Sequence, residues 1–468
     1  MYAVIFKESG DRFVVIDAYY KGRWEADRGS LLAYLCFLAA VQHLSGGKVG
    51  RPVDPRGVDE ETHKAAARFG VDAATTASIL DFVRAEGMPV AANFAPLAVA
   101  AGIDDRAPGI ITPATPILEV TAHCNYRCPW CYIPDRDVLA ERYTLEEFQE
   151  NIVLPLLRRY GLLEWCLTGG EPSVDKKRTI DMARVITGCS RQVLGRDPLS
   201  IYILTNGYNL AANIEEFMAA GINCYQVALS SPVPEHEAAL RRPPRGVDSY
   251  QHAVDGLRAA RRAGARVEVN MIIQPPRPDV PTNLNEIPQM IELARGLGLD
   301  MLRLIPAVPC GMAKKNRIMF TREEYREIAR MVREGRPRIP DIEVDCPLDQ
   351  PIEPDREVYC RAGTLWVYVN FRGQVFPCNN LQEEENLCSA ATIRSEPLDR
   401  IWEQSELLNL MRDFRRSTLD PRCVGCECRA ECAGECRAMA WARYRAYDLA
   451  QKPSPCFREA DITTARGY

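Results

Sequence analysis

Between about residues 114 and 335 the chain alternates, six times in succession, a short apolar strand-like run with a longer amphipathic helical pattern. The strand candidates are 117–121, 164–168, 200–205, 225–230, 266–272 and 301–305. The helical patterns fall at 144–160, 176–189, 211–220, 249–263, 284–297 and 321–334. Strands separated by whole helices cannot form hairpins, so they pair in parallel through right-handed crossovers. The expected fold class is α/β: a parallel sheet, open or closed into part of a barrel. Such sheets bind ligands at the C-terminal ends of their strands.

Two flanking regions differ in texture. Residues 1 to about 110 give strand-like runs at 3–6 and 13–18, then helical patterns at 31–44, 59–69 and 73–86. Residues 336–468 show little periodicity and are rich in Cys, Pro and Arg. The expected division is therefore 1–110, 111–335 and 336–468. The net charge of −5 gives no global basic excess for nucleic acid. The longest dense apolar stretch, 31–41, is too short to span a bilayer. Lys7, Glu8, Asp11, Arg12 and Asp17 interrupt the N-terminal run, so no signal-peptide core is present. A cytoplasmic protein with neither nucleic-acid nor membrane partner is expected.

Cysteine usage is the chemical anomaly. Nine of the 18 cysteines lie between Cys360 and Cys456, while the chain has only five histidines. In a reducing compartment such clusters bind metals rather than form disulfides, and thiolate-only ligation suits zinc or iron–sulfur clusters. Just after the first strand stand Cys124, Cys128 and Cys131, with Trp130 before the last. Three thiolates on one short loop can hold three irons of a [4Fe–4S] cube and leave the fourth open. A zinc knuckle with a distant fourth ligand is the alternative.

The C-x3-C-x2-C spacing with its aromatic resembles the signature of the radical S-adenosylmethionine (SAM) superfamily, and the resemblance runs along the whole middle region. It implies a partial (β/α)6 barrel. Gly169-Gly170-Glu171 after the second strand resembles the family's GGE motif, which implies contacts to the SAM amino group. Thr205-Asn206-Gly207 resembles its TNG-like turn, and Ser230 matches the position that touches the ribose. The segment His236-Glu237 through Arg241-Arg242 resembles the HDxxR-like stretch whose arginine holds the SAM carboxylate. Arg241 and Arg242 compete for that role, with Arg242 slightly favoured. Asn270 on the fifth strand is a weaker match.

Cys360, Cys378, Cys423, Cys426, Cys432, Cys436 and Cys456 follow the spacing of the SPASM extension of radical SAM enzymes. The resemblance implies two auxiliary [4Fe–4S] clusters and so three clusters in all. Cys360, Cys378 and Cys436 would hold the inner one; Cys423, Cys426, Cys432 and Cys456 would hold the outer. The inner cluster lacks a fourth thiolate. Either Cys346, Cys388 or Cys428 supplies it, or one iron stays open to a substrate thiolate. Cys36, Cys166, Cys189, Cys224 and Cys310 sit in apolar settings and read as small buried hydrophobes.

SPASM enzymes mostly modify peptides or proteins. The first region resembles the small winged-helix module with which peptide maturases pair an exposed strand to their precursor. A precursor peptide or small protein subunit is then the expected substrate, and a flavodoxin- or ferredoxin-like protein the expected electron donor. Three oxidations compete: thioether formation from a substrate Cys, carbon–carbon cross-linking, and formylglycine formation. Formylglycine-forming maturases carry Asp where this chain has Asn379, which disfavours that reading. The whole chain resembles thioether-forming maturases, among them the family that matures the small subunit of quinohemoprotein amine dehydrogenase. A non-enzymatic iron–sulfur carrier or zinc scaffold is the remaining alternative.

Overall fold

The computed structural model describes residues 3–9, 12–17, 23–45, 53–86, 94–101, 113, 115–133, 142–277, 281–346, 362–382, 388–413 and 438. The N-terminal part opens with three antiparallel strands in the order β1 (Ala3–Ser9), β2 (Arg12–Asp17) and β3 (Arg23–Asp27). Asp27 ends β3 and caps helix Arg28–Leu44, accepting from the backbone N–H of Ser30 at 2.7 Å. Leu31, Leu32, Tyr34, Leu35, Phe37 and Leu38 are all buried, so this helix is apolar around most of its girth. Helices Pro55–Arg68, Ala73–Glu86 and Pro96–Ala101 pack around it.

Among the described residues the central sheet contains nine strands. Six run parallel in sequence order: β4 (Thr115–Thr121), β5 (Glu164–Gly169), β6 (Ser200–Thr205), β7 (Cys224–Ala228), β8 (Arg266–Ile273) and β9 (Met301–Pro306). Within this set each strand pairs with the strand before and after it in sequence, as right-handed β–α units require. Their alternate residues Leu118, Val120, Trp165, Leu167, Ile203, Val227 and Val269 are fully buried in the large core that includes the surrounding helices. The opposite face carries Glu119, Thr168, Gln226, Glu268 and Asn270, all buried. A polar interior under an apolar jacket prepares the sheet to enclose chemistry.

All six expected strands and six helices are present, with ends shifted by a few residues. The helix expected at 144–160 is α-helical over Leu145–Phe148 and Leu154–Tyr160, with a π-helical turn at Gln149–Val153 between them. Pro155 lacks the N–H that an unbroken helix would use, and the wider turn accommodates its ring.

The sheet does not stop at residue 335. β10 (Glu343–Asp345) adds in parallel to β9, β11 (Trp366–Val369) adds in parallel to β4, and β12 (Val375–Phe376) pairs antiparallel with β11. Helices Leu398–Gln404 and Glu406–Asp413 complete the described part of this extension. Glu403 accepts from Arg159 Nε at 2.8 Å and from the Tyr160 hydroxyl at 2.7 Å, tying it to the barrel wall. The N-terminal part is tied to the same wall: Ala95 N–H donates to Gly161 O at 2.6 Å, and Arg196 Nη1 to Gln42 Oε1 at 2.9 Å. Among the described residues no helix is long and apolar enough to cross a membrane.

Candidate active site

β4 delivers the chain into the loop that carries the three cysteines. Cys124 and Cys128 are buried and Cys131 is half-buried. The loop is pinned by backbone contacts from several directions. Arg127 N–H lies 3.1 Å from Arg242 O and 3.3 Å from Arg241 O; Met312 N–H donates to Cys131 O at 2.8 Å; Asn316 Nδ2 donates to Pro129 O at 2.6 Å. Gly311 makes this close approach feasible: its φ is +53°, and a Cβ there would stand 2.3 Å from Cys131 O. Burial, with Cys128 and Glu171 nearby, pushes the Cys124 thiol up to about 12. Three ionised thiols cannot share this pocket without a compensating cation, and an iron cluster supplies one. Among the described residues no three His, Cys, Asp or Glu side chains close on one point as ligands of a lone metal ion do.

The GGE segment folds back against this loop. Gly170 N–H donates to Thr121 O at 2.7 Å and Glu171 N–H to His123 O at 2.8 Å. A Cβ on Gly169 would meet Thr121 O at 2.2 Å, and one on Gly170 would meet His123 O at 2.1 Å. The glycines therefore let two pieces of main chain touch, where the sequence suggested close approach of a ligand. Glu171 is fully buried. Its carboxylate accepts from Ser173 N–H (2.9 Å), Thr205 Oγ1 (2.7 Å) and Asn206 N–H (2.6 Å), so it also holds the TNG turn in place. Burial raises its pKa while these donors oppose the rise. Asn206 continues the chain of contacts, donating Nδ2–H to Asn125 Oδ1 at 2.9 Å.

Beyond β7, Ser230 N–H and Ser231 N–H both donate to Glu237 Oε2, at 2.8 and 2.9 Å. Glu237 lies on helix Pro234–Arg241, an element the sequence reading did not place. Burial pushes its carboxyl up to about 7, against the pull of Arg241. The next two residues separate sharply. Arg241 is buried, its Nε 3.8 Å from Glu237 Oε1 and its guanidinium over the Tyr126 ring at 5.8 Å. Burial works against its charge, but Cys128 and Glu237 hold the guanidinium protonated. Arg242 caps the helix at φ 49° and points into solvent. The sequence slightly favoured Arg242 for the SAM carboxylate; in the fold Arg241 is the arginine at the cysteine loop, because the left-handed cap turns its neighbour away.

Ser230 Oγ, Asn270 Oδ1, Asn125 Nδ2 and Arg241 Nε are all buried without a hydrogen-bond partner among the described residues. Buried polar atoms rarely stay unpaired. Buried donors and acceptors of this kind, one of them Arg241 beside Cys128, fit a polar ligand such as SAM, with hydroxyl, carboxylate and ammonium groups to satisfy.

Of the cysteines expected at the auxiliary clusters, Cys378 follows β12 and is half-buried. Cys360, Cys423, Cys426, Cys428, Cys432, Cys436 and Cys456 lie outside the described residues. Cys346 is fully buried in the main core, and Cys388 sits beside β12, where Ser389 N–H donates to Val375 O at 2.8 Å. Cys36, Cys166, Cys189 and Cys224 are buried as expected. Glu119 was missed. It is a buried carboxylate on β4, paired with Thr168 on β5, and accepts from Phe371 N–H at 2.9 Å. The available signal was a lone charge within the apolar run Ile117-Leu118-Glu119-Val120.

Residues 118–294 match the Radical SAM superfamily model, and residues 360–428 match that of the SPASM iron–sulfur cluster-binding domain. The AdoMet-dependent heme synthase of Methanosarcina barkeri is 26% identical over 361 residues, covering 73% of this chain and 95% of that protein. The PqqA peptide cyclase of Bradyrhizobium diazoefficiens is 24% identical over 338 residues, covering 70% and 83%. Among solved structures, Streptococcus suis SuiB bound to S-adenosylmethionine aligns with a TM-score of 0.58 at 13% identity, over 95% of this chain and 98% of that one. Fold and site thus define an α/β enzyme with a radical SAM domain. The chain is a radical SAM enzyme carrying a SPASM extension.

Proposed function

We propose that this enzyme oxidatively cross-links a ribosomally made peptide or small protein subunit, joining a Cys sulfur to carbon as a thioether. The observation that carries the reading is the direct pairing of β11 with β4. Through it the turn after Cys378 reaches the cysteine loop, where Gln382 Nε2 donates to Tyr132 O at 3.5 Å. One barrel mouth then serves both a radical-forming site and an electron-accepting extension, which is what a two-electron oxidation of substrate needs. SuiB has been solved with its precursor peptide SuiA, and a peptide cyclase is among the relatives, which supports a peptide substrate.

SAM on a reduced [4Fe–4S] cluster supplies, when bound, a radical able to take hydrogen from carbon. In this reading Cys124, Cys128 and Cys131 hold that cluster, and Gly169, Gly170 and Glu171 shape the pocket wall beside it. Asn206 and Ser230 meet the polar parts of SAM, and Arg241 meets its carboxylate. The polar interior face and the covering turn at Asn379–Leu381 exclude water from the reacting carbon. Cys378, Cys360 and Cys436, with Cys423, Cys426, Cys432 and Cys456, would hold two further clusters, whose chemistry would be to accept an electron. The N-terminal sheet and helices bind the precursor by strand pairing. A flavodoxin- or ferredoxin-like donor and a cytoplasmic setting complete the proposal.

Carbon–carbon cross-linking is the second reading, favoured by the cyclase relative. Anaerobic incubation with the peptide encoded beside its gene separates the two. A thioether lowers product mass by about 2 Da per bond and consumes one thiol each time. The same mass loss with all thiols retained moves the assignment to carbon–carbon bond formation.

A further inference from the structure

The chain carries a net charge of −5, yet the surface around the cysteine loop is basic. Three segments meet there. The loop itself contributes Arg127, the stretch ending helix Pro234–Arg241 contributes Arg242 and Arg245, and the turn after β9 contributes Lys314, Lys315 and Arg317. All are exposed except Lys314, which is half-buried. Main-chain contacts hold the segments together. Arg127 N–H lies 3.1 Å from Arg242 O, and Asn316, between Lys315 and Arg317, donates from Nδ2 to Pro129 O at 2.6 Å.

The charge of this patch is not offset from within. Residues 123–133, 241–247 and 308–320 contain no Asp or Glu. Among the described residues Arg242, Arg245, Lys315 and Arg317 form no ion pair. Protein surfaces ordinarily intersperse both signs, and a field of one sign steers a partner of the other. Backbone geometry adds a second observation. Among the described residues three that are not glycine have a left-handed backbone, and two of them are Arg242 (φ 49°) and Arg317 (φ 53°). Glycine would adopt that conformation without steric cost, so these positions hold a cation against the preference of the backbone.

We propose that this basic patch is the docking surface for an acidic protein carrying a one-electron donor, of the flavodoxin or ferredoxin kind. The inference rests on the reading of Cys124, Cys128 and Cys131 as ligands of the SAM cluster. One electron passes from donor to cluster, so the donor leaves oxidised by one electron and nothing else is exchanged. Such transfer weakens steeply with distance, and the segments of the patch are bonded to the cysteine loop itself. Docking led by charge is fast and weak, which suits a carrier that must leave after each transfer. An acidic precursor has instead to reach the polar interior of the sheet, whereas these cations are exposed.

The test uses the full-length chain, reconstituted anaerobically, with flavodoxin as the acidic probe. Arg245→Glu with Lys315→Glu reverses two charges on different segments, and Arg317→Asn removes a third at a backbone conformation that Asn tolerates. Equilibrium binding of oxidised flavodoxin, read without turnover, should weaken about tenfold or more in the triple variant. In the wild type it should fall steeply as salt is raised. Release of 5′-deoxyadenosine driven by sub-saturating reduced flavodoxin should fall in parallel, while the rate driven by dithionite stays within about twofold. The neutral pair Arg245→Gln and Lys315→Gln gives the same comparison, with a smaller loss, if the triple variant does not accumulate. Unchanged flavodoxin binding overturns the proposal, as does an equal loss with both reductants, which would mark the patch as support for the loop. Weakened binding of the precursor peptide with flavodoxin binding intact assigns the patch to the substrate instead. A wild type that cleaves no SAM with dithionite refutes the reading of the cysteine loop and takes this inference with it.

Discussion

Glu119 Oε2 accepts the backbone N–H of Phe371 at 2.9 Å, so a carboxylate inside the barrel holds a turn 252 residues further along the chain. Burial pushes this carboxyl up to about 7 from an ordinary value of 4.5. The folded chain therefore keeps a proton between those values that the unfolded chain has lost. Stability contributed by that proton is full below about 4.5, falls as pH rises toward 7, and is flat above. Glu237, also at about 7, acts with the same sign. Glu119→Gln keeps an acceptor for Phe371 and removes the titration. Its stability should fall less between pH 5 and pH 8 than that of the wild type, by on the order of 1–3 kcal/mol. Denaturant unfolding at the two pH values checks this, and an unchanged difference would contradict it.

The glycines at the site should separate from those elsewhere. Gly311→Ala puts a methyl 2.3 Å from Cys131 O at a φ of +53°, and Gly170→Ala puts one 2.1 Å from His123 O. Both should displace the cysteine loop and lower iron loading of the SAM cluster several-fold. Gly188, within helix Lys176–Leu194, has open space around its Cα. Gly188→Ala should stabilise the fold by roughly 0.5–1 kcal/mol with normal iron content. Equal iron content in all three variants would refute the close-approach account.

Arg241 and Arg242 make a paired test of the SAM contacts. Arg241→Gln should weaken SAM binding by about tenfold or more, the scale of a lost charge-assisted hydrogen bond. Arg242→Ala, at an exposed cap, should leave it within about twofold. Equilibrium binding of SAM to the reconstituted protein reads both, and the reverse order would restore Arg242 to the role.

The parts legible in the sequence were those written in contiguous residues. The six β–α units announced themselves because each strand carries alternating apolar residues such as Leu118, Val120, Trp165, Leu167, Val227 and Val269, and each helix keeps its own period. The cysteine loop and the GGE segment were equally plain, being single short runs. The short strands β10, β11 and β12 were not, since their pairing depends on β9 and β4, in the latter case about 250 residues away. Arg241 could not be separated from Arg242 by spacing, because a single left-handed residue decides which one faces inward. Gly311 gave no motif at all. Its significance arises only where the turn after β9 brings it against Cys131 O.

The central claim is that Cys124, Cys128 and Cys131 form the site of SAM cleavage. Its most direct test measures 5′-deoxyadenosine and methionine from SAM under reducing, anaerobic conditions, for the wild-type chain and for the triple Cys→Ala variant, each with its iron counted. The account predicts that the wild type releases both products in equal amounts. It also predicts that the variant releases neither, while losing about four irons and keeping those of the extension. Undiminished SAM cleavage by the triple variant would contradict it.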